Sequence, residues 1–121
     1  MSRQGPERGG TDVATVRADA GVVTYVQVWS VADAAGQQQW LRIMRENIRI
    51  LRAKPGFVTM TLHSSIDGTS LAVYAQWSSR GALEASLRDP EAAAAHDRMA
   101  QVGEPNGSLY VVEDVYGPSA L

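Results

Sequence analysis

A hairpin signal in the middle of the chain constrains the fold more than any other feature of this sequence. Residues 57–64 alternate apolar and polar side chains, and residues 71–77 are again apolar, β-branched and aromatic. Each segment therefore predicts a strand. Asp67-Gly68 stands between them and is typical of a two-residue turn that joins antiparallel strands. The sequence thus predicts an antiparallel hairpin.

The predicted turn also sets the register of the two strands. A two-residue turn at this position pairs Leu62 with Val73 and His63 with Ala72. One face of the hairpin then carries Val58, Met60, Leu62, Leu71, Val73, Ala75 and Trp77. The other face carries Thr59, Thr61, His63, Tyr74 and Gln76. A slip of one residue would mix the two sets, so the apolar pattern favours this register.

The remaining elements place the hairpin in an α+β fold. The pattern predicts strands over 22–29 and 109–115, helices over 34–53, 80–87 and 90–102, and a loop over 103–107. Neither face of the first strand is strongly polar, which favours a central position in the sheet. The order β-α-β-β-α-β, with its second helical region in two parts, is typical of a ferredoxin-like fold. That fold is a four-stranded antiparallel sheet with helices on one face.

The first helix has an apolar stripe that indicates which side packs against the sheet. The stripe is formed by Trp40, Leu41, Ile43, Met44, Ile48 and Leu51. Arginines fill the opposite face, which we expect to be solvated. We expect Trp29 and Trp40 in the core, and we expect Asp89 to cap a helix that begins at Pro90.

Length and composition limit the classes of protein that fit. The chain has 121 residues, which suits one domain, predicted over 22–116 between a flexible arm (1–21) and a tail (117–121). Hydrophobic residues make up 45%, enough for a core, and the net charge of −2 argues against a nucleic-acid partner. Cysteine is absent, and neither a membrane-spanning run nor the apolar segment of a signal peptide is found. We therefore expect a cytoplasmic protein with no membrane partner.

The second face of the predicted sheet indicates a partner for the chain. This face carries His63, Tyr74 and Gln76 together with residues of one parity from the other strands. It is too apolar overall to face water alone, so we expect a second copy of the chain to cover it. The expected assembly is a homodimer.

Several segments resemble one known family. Residues 67–77 (DGTSLAVYAQW), with the upstream segments 55–57 (PGF) and 62–65 (LHSS), are similar to the antibiotic biosynthesis monooxygenase family. The resemblance covers roughly residues 22–115. It is nearest to the cofactor-independent, quinone-forming monooxygenases of aromatic polyketide pathways, which are dimeric α+β barrels.

The resemblance implies a chemistry that needs O₂ and neither metal nor flavin. An anthrone-like phenol loses a proton, and its electron-rich anion passes an electron to O₂. The radical pair combines to a peroxide, which collapses to a quinone and water. The expected partners are therefore an aromatic small molecule and O₂, with no cofactor.

The resemblance also assigns roles to individual residues. The family's strand tryptophan falls on Trp77. Its asparagine falls on Val73, a later aromatic residue on Leu83, and its helix arginine on His96. Trp77 offers an indole N–H and a flat face, and His96 offers a group that exchanges protons near neutral pH. We expect Trp77 and His96 to be catalytic and to flank one pocket on the helix side of the sheet.

Substrate contacts are expected from four further residues: Val73, Leu83, His63 and Met99. By the predicted register His63 lies on the opposite sheet face, where a role in the interface competes with a ligand contact. Trp77 and His96 each also fit a second interpretation, as a core tryptophan and a hydrogen-bonded core histidine. With only two histidines, placed on opposite faces, no metal site is expected.

Two other functions fit the same residues. One is a cofactor-free cyclase or isomerase, in which His96 or His63 acts as general base on a poly-β-keto chain. The other is a non-catalytic ligand-binding homologue, because Val73 and Leu83 depart from the family pattern. Dependence on O₂ separates the oxygenase from the cyclase.

Overall fold

A computed structural model describes residues 21–119 of the chain. Its elements are β1 (Val23–Val31), α1 (Ala34–Leu51), β2 (Phe57–Ser64), β3 (Ser70–Trp77), α2 (Arg80–Leu87), α3 (Pro90–Ala100) and β4 (Gly103–Tyr110). The predicted order of elements is confirmed, although α1 and α3 end two residues earlier than expected. The prediction of a flexible arm falls on residues that lie, apart from Gly21, outside the described part.

The four strands form one antiparallel sheet in the order β2-β3-β1-β4. β1 is a central strand, as the apolar character of both its faces predicts. The three helices pack on one face of this sheet. The ferredoxin-like fold is therefore confirmed.

The hairpin of β2 and β3 has the predicted register. Leu62 pairs with Val73, and the neighbouring pair also agrees. The Ser65 N–H donates to the Ser70 carbonyl at 3.0 Å, and the Gly68 N–H donates to the Ser65 carbonyl at 3.1 Å. Gly68 has a φ of +81°, which favours glycine because it has no Cβ. The loop between β2 and β3 is longer than the predicted two-residue turn, but it gives the two strands the predicted register.

One residue of β2 lies where the simple alternation does not predict it. The pairing shifts between Phe57, which is opposite Trp77, and Thr59, which is opposite Gln76. Val58 is the extra residue of this β-bulge. Phe57 therefore lies opposite Trp77, where the predicted register places Val58. The two aromatic rings meet edge to face, with centroids 5.4 Å apart. Val58 therefore has no partner in β3.

The last strand lies earlier in the chain than the predicted range 109–115. Strand β4 covers the segment predicted as a loop, and residues 111–119 have no regular structure. Pro105 and the glycines of this segment disfavour a strand in isolation. β4 is an edge strand, however, where proline is tolerated, and its whole length pairs with β1 from Thr24 to Val31. A Cβ on Gly103 would lie 2.6 Å from the Ser30 carbonyl oxygen, so the close approach of the two backbones requires glycine.

The core between the helices and the sheet agrees with the predicted stripe in part. Trp29 and Trp40 are fully buried with ring centroids 5.5 Å apart, so their assignment to the core is confirmed. Ile48 is only partly buried. Two polar residues of α1, Gln37 and Asn47, are buried instead, which the apolar pattern did not indicate.

The start of α3 is held by an ion pair as well as by its cap. One oxygen of Asp89 accepts from the Glu91 and Ala92 N–H groups at 3.1 Å, and the other accepts from Lys54 Nζ at 2.6 Å. The hydrogen bond from Lys54 is the main cause that lowers the pKa of Asp89 below its ordinary value of 3.8. Because the pKa of Asp89 is lowered in the folded state, the ion pair stabilises the fold fully at pH values above 3.8. This stabilisation is lost as the pH falls through the folded-state pKa.

Replacing Asp89 with asparagine tests this ion pair and keeps a capping side chain. We expect the wild-type protein to have the higher Tm at neutral pH, because the variant lacks the charge that pairs with Lys54. The difference in Tm should shrink as the pH falls below 3.8. Thermal melts across this pH range measure it. Glu84→Gln, which breaks the exposed Arg80–Glu84 pair, is the control and should show little difference at any pH. A constant gap for Asp89→Asn would contradict the linkage.

Candidate functional site

A cavity of about 290 Å³ lies between the sheet and the helices. All three helices and strands β1, β2 and β3 contribute to its wall, which is predominantly apolar. Five of the six predicted site residues line this cavity: Val73, Trp77, Leu83, His96 and Met99. The fold thus brings together residues that are up to 26 positions apart, counted from Val73 to Met99.

His63 is the predicted site residue that the fold places elsewhere. It pairs with Ala72 on the sheet face away from the helices, and it is exposed. Its Nε2 lies 3.0 Å from the Thr61 hydroxyl oxygen. His63 therefore does not line the cavity in this chain, and of its two predicted roles this position favours the one at an interface.

Trp77 ends β3 at the inner wall of the cavity. The residue is only 1% exposed and packs edge to face on Phe57. Its indole N–H has no hydrogen-bond partner within residues 21–119. An indole N–H is a donor only. Trp77 therefore combines a flat apolar surface with a donor that no other described side chain uses.

His96 lies on α3 at the rim of the cavity. It is exposed, and its ring meets the ring of Trp29 at a centroid distance of 5.3 Å and an angle of 63°. No hydrogen bond joins it to another residue in the described part of the chain. The interpretation of His96 as a buried, hydrogen-bonded core histidine is therefore wrong. The imidazole can exchange protons with both the cavity and the solvent.

Tyr25 and Gln27 of β1 form a polar pair that sequence reasoning missed. Gln27 Nε2 donates to Tyr25 Oη at 3.0 Å, and both residues line the cavity. Because this oxygen already accepts a hydrogen bond, the phenol O–H remains available as a donor. A Cβ on Gly107, opposite Gln27 in β4, would lie 3.1 Å from Tyr25 Oη. The alternation of β1 was the available signal, since it puts both residues on the face of Trp29.

Asn47 is a second missed residue, and it lies on α1. It is 5% exposed and lines the cavity with Met44 and Leu51, one turn away on either side. Its Oδ1 is buried and has no hydrogen-bond partner in the part of the chain that the structure describes. The available signal was a polar residue within the apolar stripe of α1.

The cavity offers a limited set of polar groups for chemistry. Trp77 and Tyr25 supply donors, Asn47 supplies an acceptor, and His96 and Asp97 supply an imidazole and a carboxyl group. The hydroxyl of Ser86, although it lines the cavity, donates to the Leu83 carbonyl at 2.7 Å. This arrangement is able to bind a flat apolar molecule, to orient its oxygens and to move one proton.

Residues 21–119 contain neither a cluster suited to a metal ion nor a helix suited to a membrane. No group of three or more histidine, cysteine, aspartate or glutamate side chains is arranged to hold a metal ion in that range. None of the three helices of the described part has the length and apolar character needed to span a membrane.

Comparison with known families identifies the chain. The family model described as antibiotic biosynthesis monooxygenase matches residues 21–98, which is more than half of the sequence. The chain belongs to the antibiotic biosynthesis monooxygenase family. The resemblance carried by the hairpin segment is therefore confirmed, and this family member is an enzyme of the monooxygenase class.

Individual relatives of this monooxygenase come from species of Streptomyces. It is 28% identical over 108 residues to the tetracenomycin-F1 monooxygenase of Streptomyces glaucescens, covering 89% of this chain and 96% of that one. Among solved structures, it is similar to the ActVA-Orf6 monooxygenase of Streptomyces coelicolor in complex with nanaomycin D. The TM-score is 0.71 and the identity 28%, covering 82% of this chain and 93% of that one.

A second solved structure supports the fold of this monooxygenase. SnoaB, a cofactor-independent oxygenase of Streptomyces nogalater, matches with a TM-score of 0.73 at 21% identity. The match covers 79% of this chain and 97% of that one. At this level of identity the likeness concerns the fold alone.

Proposed function

We propose that this monooxygenase oxidises a polycyclic aromatic phenol of the anthrone type to a quinone with O₂ and without a cofactor. The observation that carries the proposal is one apolar cavity flanked by Trp77 and by His96. Its volume of about 290 Å³ is close to the lower end of small-molecule sites. The similarity to the tetracenomycin-F1 monooxygenase and to the ActVA-Orf6 monooxygenase supports such a substrate.

The first step assigned to the protein is removal of a proton. A ring nitrogen of His96 takes a proton from the substrate, and the resulting anion is electron-rich. Trp77 and Tyr25 donate hydrogen bonds to the oxygen on which the negative charge develops, which lowers the energy of the anion. Val73, Leu83 and Met99 provide apolar walls around the ring system and keep water away from it.

The remaining steps are driven by O₂. The anion passes one electron to O₂, and the two radicals combine to form a carbon–oxygen bond. The peroxide takes the proton back from His96, and its O–O bond breaks as the same carbon loses its second hydrogen as a proton. One oxygen atom remains in the quinone carbonyl, and the other leaves as water. The balance therefore requires no reductant besides the substrate.

Oxygen uptake with anthrone as the probe tests the proposal. We expect one O₂ consumed per quinone formed, no turnover under argon, and unchanged activity after treatment with a chelator. Turnover that continues under argon would favour the cyclase, and tight binding with no turnover would favour a ligand-binding homologue. A flavin or haem band in the visible spectrum of the purified protein would contradict a cofactor-free reaction.

We also propose that the enzyme is a homodimer joined through the sheet face away from the helices. Val28 on this face is 45% exposed, and the buried Tyr74 hydroxyl has no hydrogen-bond partner among residues 21–119. His63 lies on the same face. A second copy would remove the apolar surface from water and place polar groups near Tyr74.

Light scattering measures the assembly directly. We expect twice the mass of one chain, and we expect Val28→Glu to shift the equilibrium toward the monomer because it adds a charge to the apolar face. Arg42→Glu, on the exposed side of α1, is the control and should leave the mass unchanged. A monomer at every protein concentration would refute the proposal.

A further inference from the structure

The inference starts from the buried amide of Asn47. Buried polar side-chain atoms in proteins are nearly always hydrogen-bonded, so an exception on a cavity wall is a candidate partner for a bound molecule. Asn47 Oδ1 is buried and has no such partner within residues 21–119, although the residue lines the cavity. Its nearest neighbours on the same helix face, Met44 and Leu51, carry no N–H or O–H group in their side chains.

The other buried amide of α1 provides a contrast within the same helix. Gln37 is also 5% exposed, but its Nε2 donates to the Ser70 carbonyl at 2.9 Å and to the Ser65 carbonyl at 3.2 Å. Those bonds join α1 to the β2–β3 loop, so Gln37 has a structural role. Asn47 has no comparable bond from its Oδ1 to any residue in the range 21–119, although the residue lines the cavity.

We propose that Asn47 determines substrate specificity by accepting a hydrogen bond from a hydroxyl group of the bound aromatic molecule. The ligand class is therefore a flat ring system that carries a free O–H, besides the oxygen that faces the donors Trp77 and Tyr25. Val73, at the position where the resemblance expects an asparagine, offers no hydrogen bond. Asn47 supplies an amide from α1 instead. The inference rests on the proposed function only for the aromatic nature of the ligand.

A pair of ligands that share the ring and the oxygen but differ in the O–H donor tests this interaction. Naphthol has the O–H, and its methyl ether keeps the ring and the oxygen but cannot donate. Quenching of tryptophan fluorescence gives both Kd values for each protein variant. We expect the wild-type protein to prefer naphthol, and we expect Asn47→Leu to reduce that preference by about tenfold, as for the loss of one hydrogen bond.

Two further variants make the test specific. Asn47→Asp keeps an acceptor of the same shape and should keep the preference for naphthol. Ser86→Ala removes a hydroxyl that lines the cavity but bonds to the Leu83 carbonyl, so it should leave the preference unchanged. If Asn47→Leu does not fold, the wild-type ratio and Asn47→Asp still decide the question.

The outcomes separate this inference from the proposed function. A wild-type protein that binds both ligands equally, or neither of them, overturns the inference. The same is true if Asn47→Leu keeps the full preference. Because the binding assay is run under argon, where neither probe is oxidised, failure of oxygen uptake with anthrone overturns the proposed function alone. A clear preference for naphthol without oxygen uptake would leave a specific phenol-binding site.

Discussion

Replacing His96 with alanine is expected to lower the turnover of an anthrone-type substrate by roughly 10² to 10⁴-fold. This is the usual contribution of a general acid–base group, and His96 is the histidine that lines the cavity. The side chain is exposed and has no hydrogen bond to the described residues, so its removal should disturb the fold little. Oxygen uptake measures the rate, and a thermal melt shows whether the fold is intact.

His63→Ala is the matched control for that experiment. The variant removes the other histidine of the chain, which lies on the opposite face of the sheet. It should retain nearly the full rate and weaken the proposed dimer. If His96→Ala keeps the wild-type rate while His63→Ala loses it, the reaction takes place on the other face of the sheet, and the site proposed here is wrong.

Replacing Trp77 with phenylalanine is expected to lower kcat/KM by roughly 5- to 150-fold. The variant keeps a flat ring against the substrate but removes the indole N–H. A hydrogen bond to a charged oxygen contributes about 1–3 kcal/mol, and this range of free energy corresponds to that loss. Because the N–H is proposed to bind the anion more strongly than the neutral phenol, the loss should fall mainly on kcat rather than on KM.

Trp40→Phe is the control because it makes the same chemical change elsewhere in the core. Trp40 is fully buried, its indole N–H also has no partner in the described part of the chain, and it does not line the cavity. Both variants lose packing volume and should lower the Tm. Only Trp77→Phe should lower kcat/KM strongly. Equal losses in the two variants would show that packing, and not the donor, controls the rate.

Local sequence patterns determine much of this fold without any tertiary contact. The period-two alternation around Asp67-Gly68 predicts the β2–β3 register, because a slip of one residue would expose the apolar set. The capping signal at Asp89 likewise predicts where α3 begins. These predictions succeed because turn and cap chemistry depends on a few neighbouring residues. The same alternation places Trp77 and Val73 on one face of the sheet.

The rest was decided by contacts between segments that are distant in sequence. β4 forms from residues of low strand propensity because β1 offers it an unpaired edge. The bulge that moves Phe57 opposite Trp77 arises from pairing with β3, and no local signal marks it. Asn47 and Tyr25 become parts of one cavity only when α1 packs over β1. A polar side chain on an apolar face is visible in the sequence, but the fold alone determines whether it faces the protein, water or a ligand.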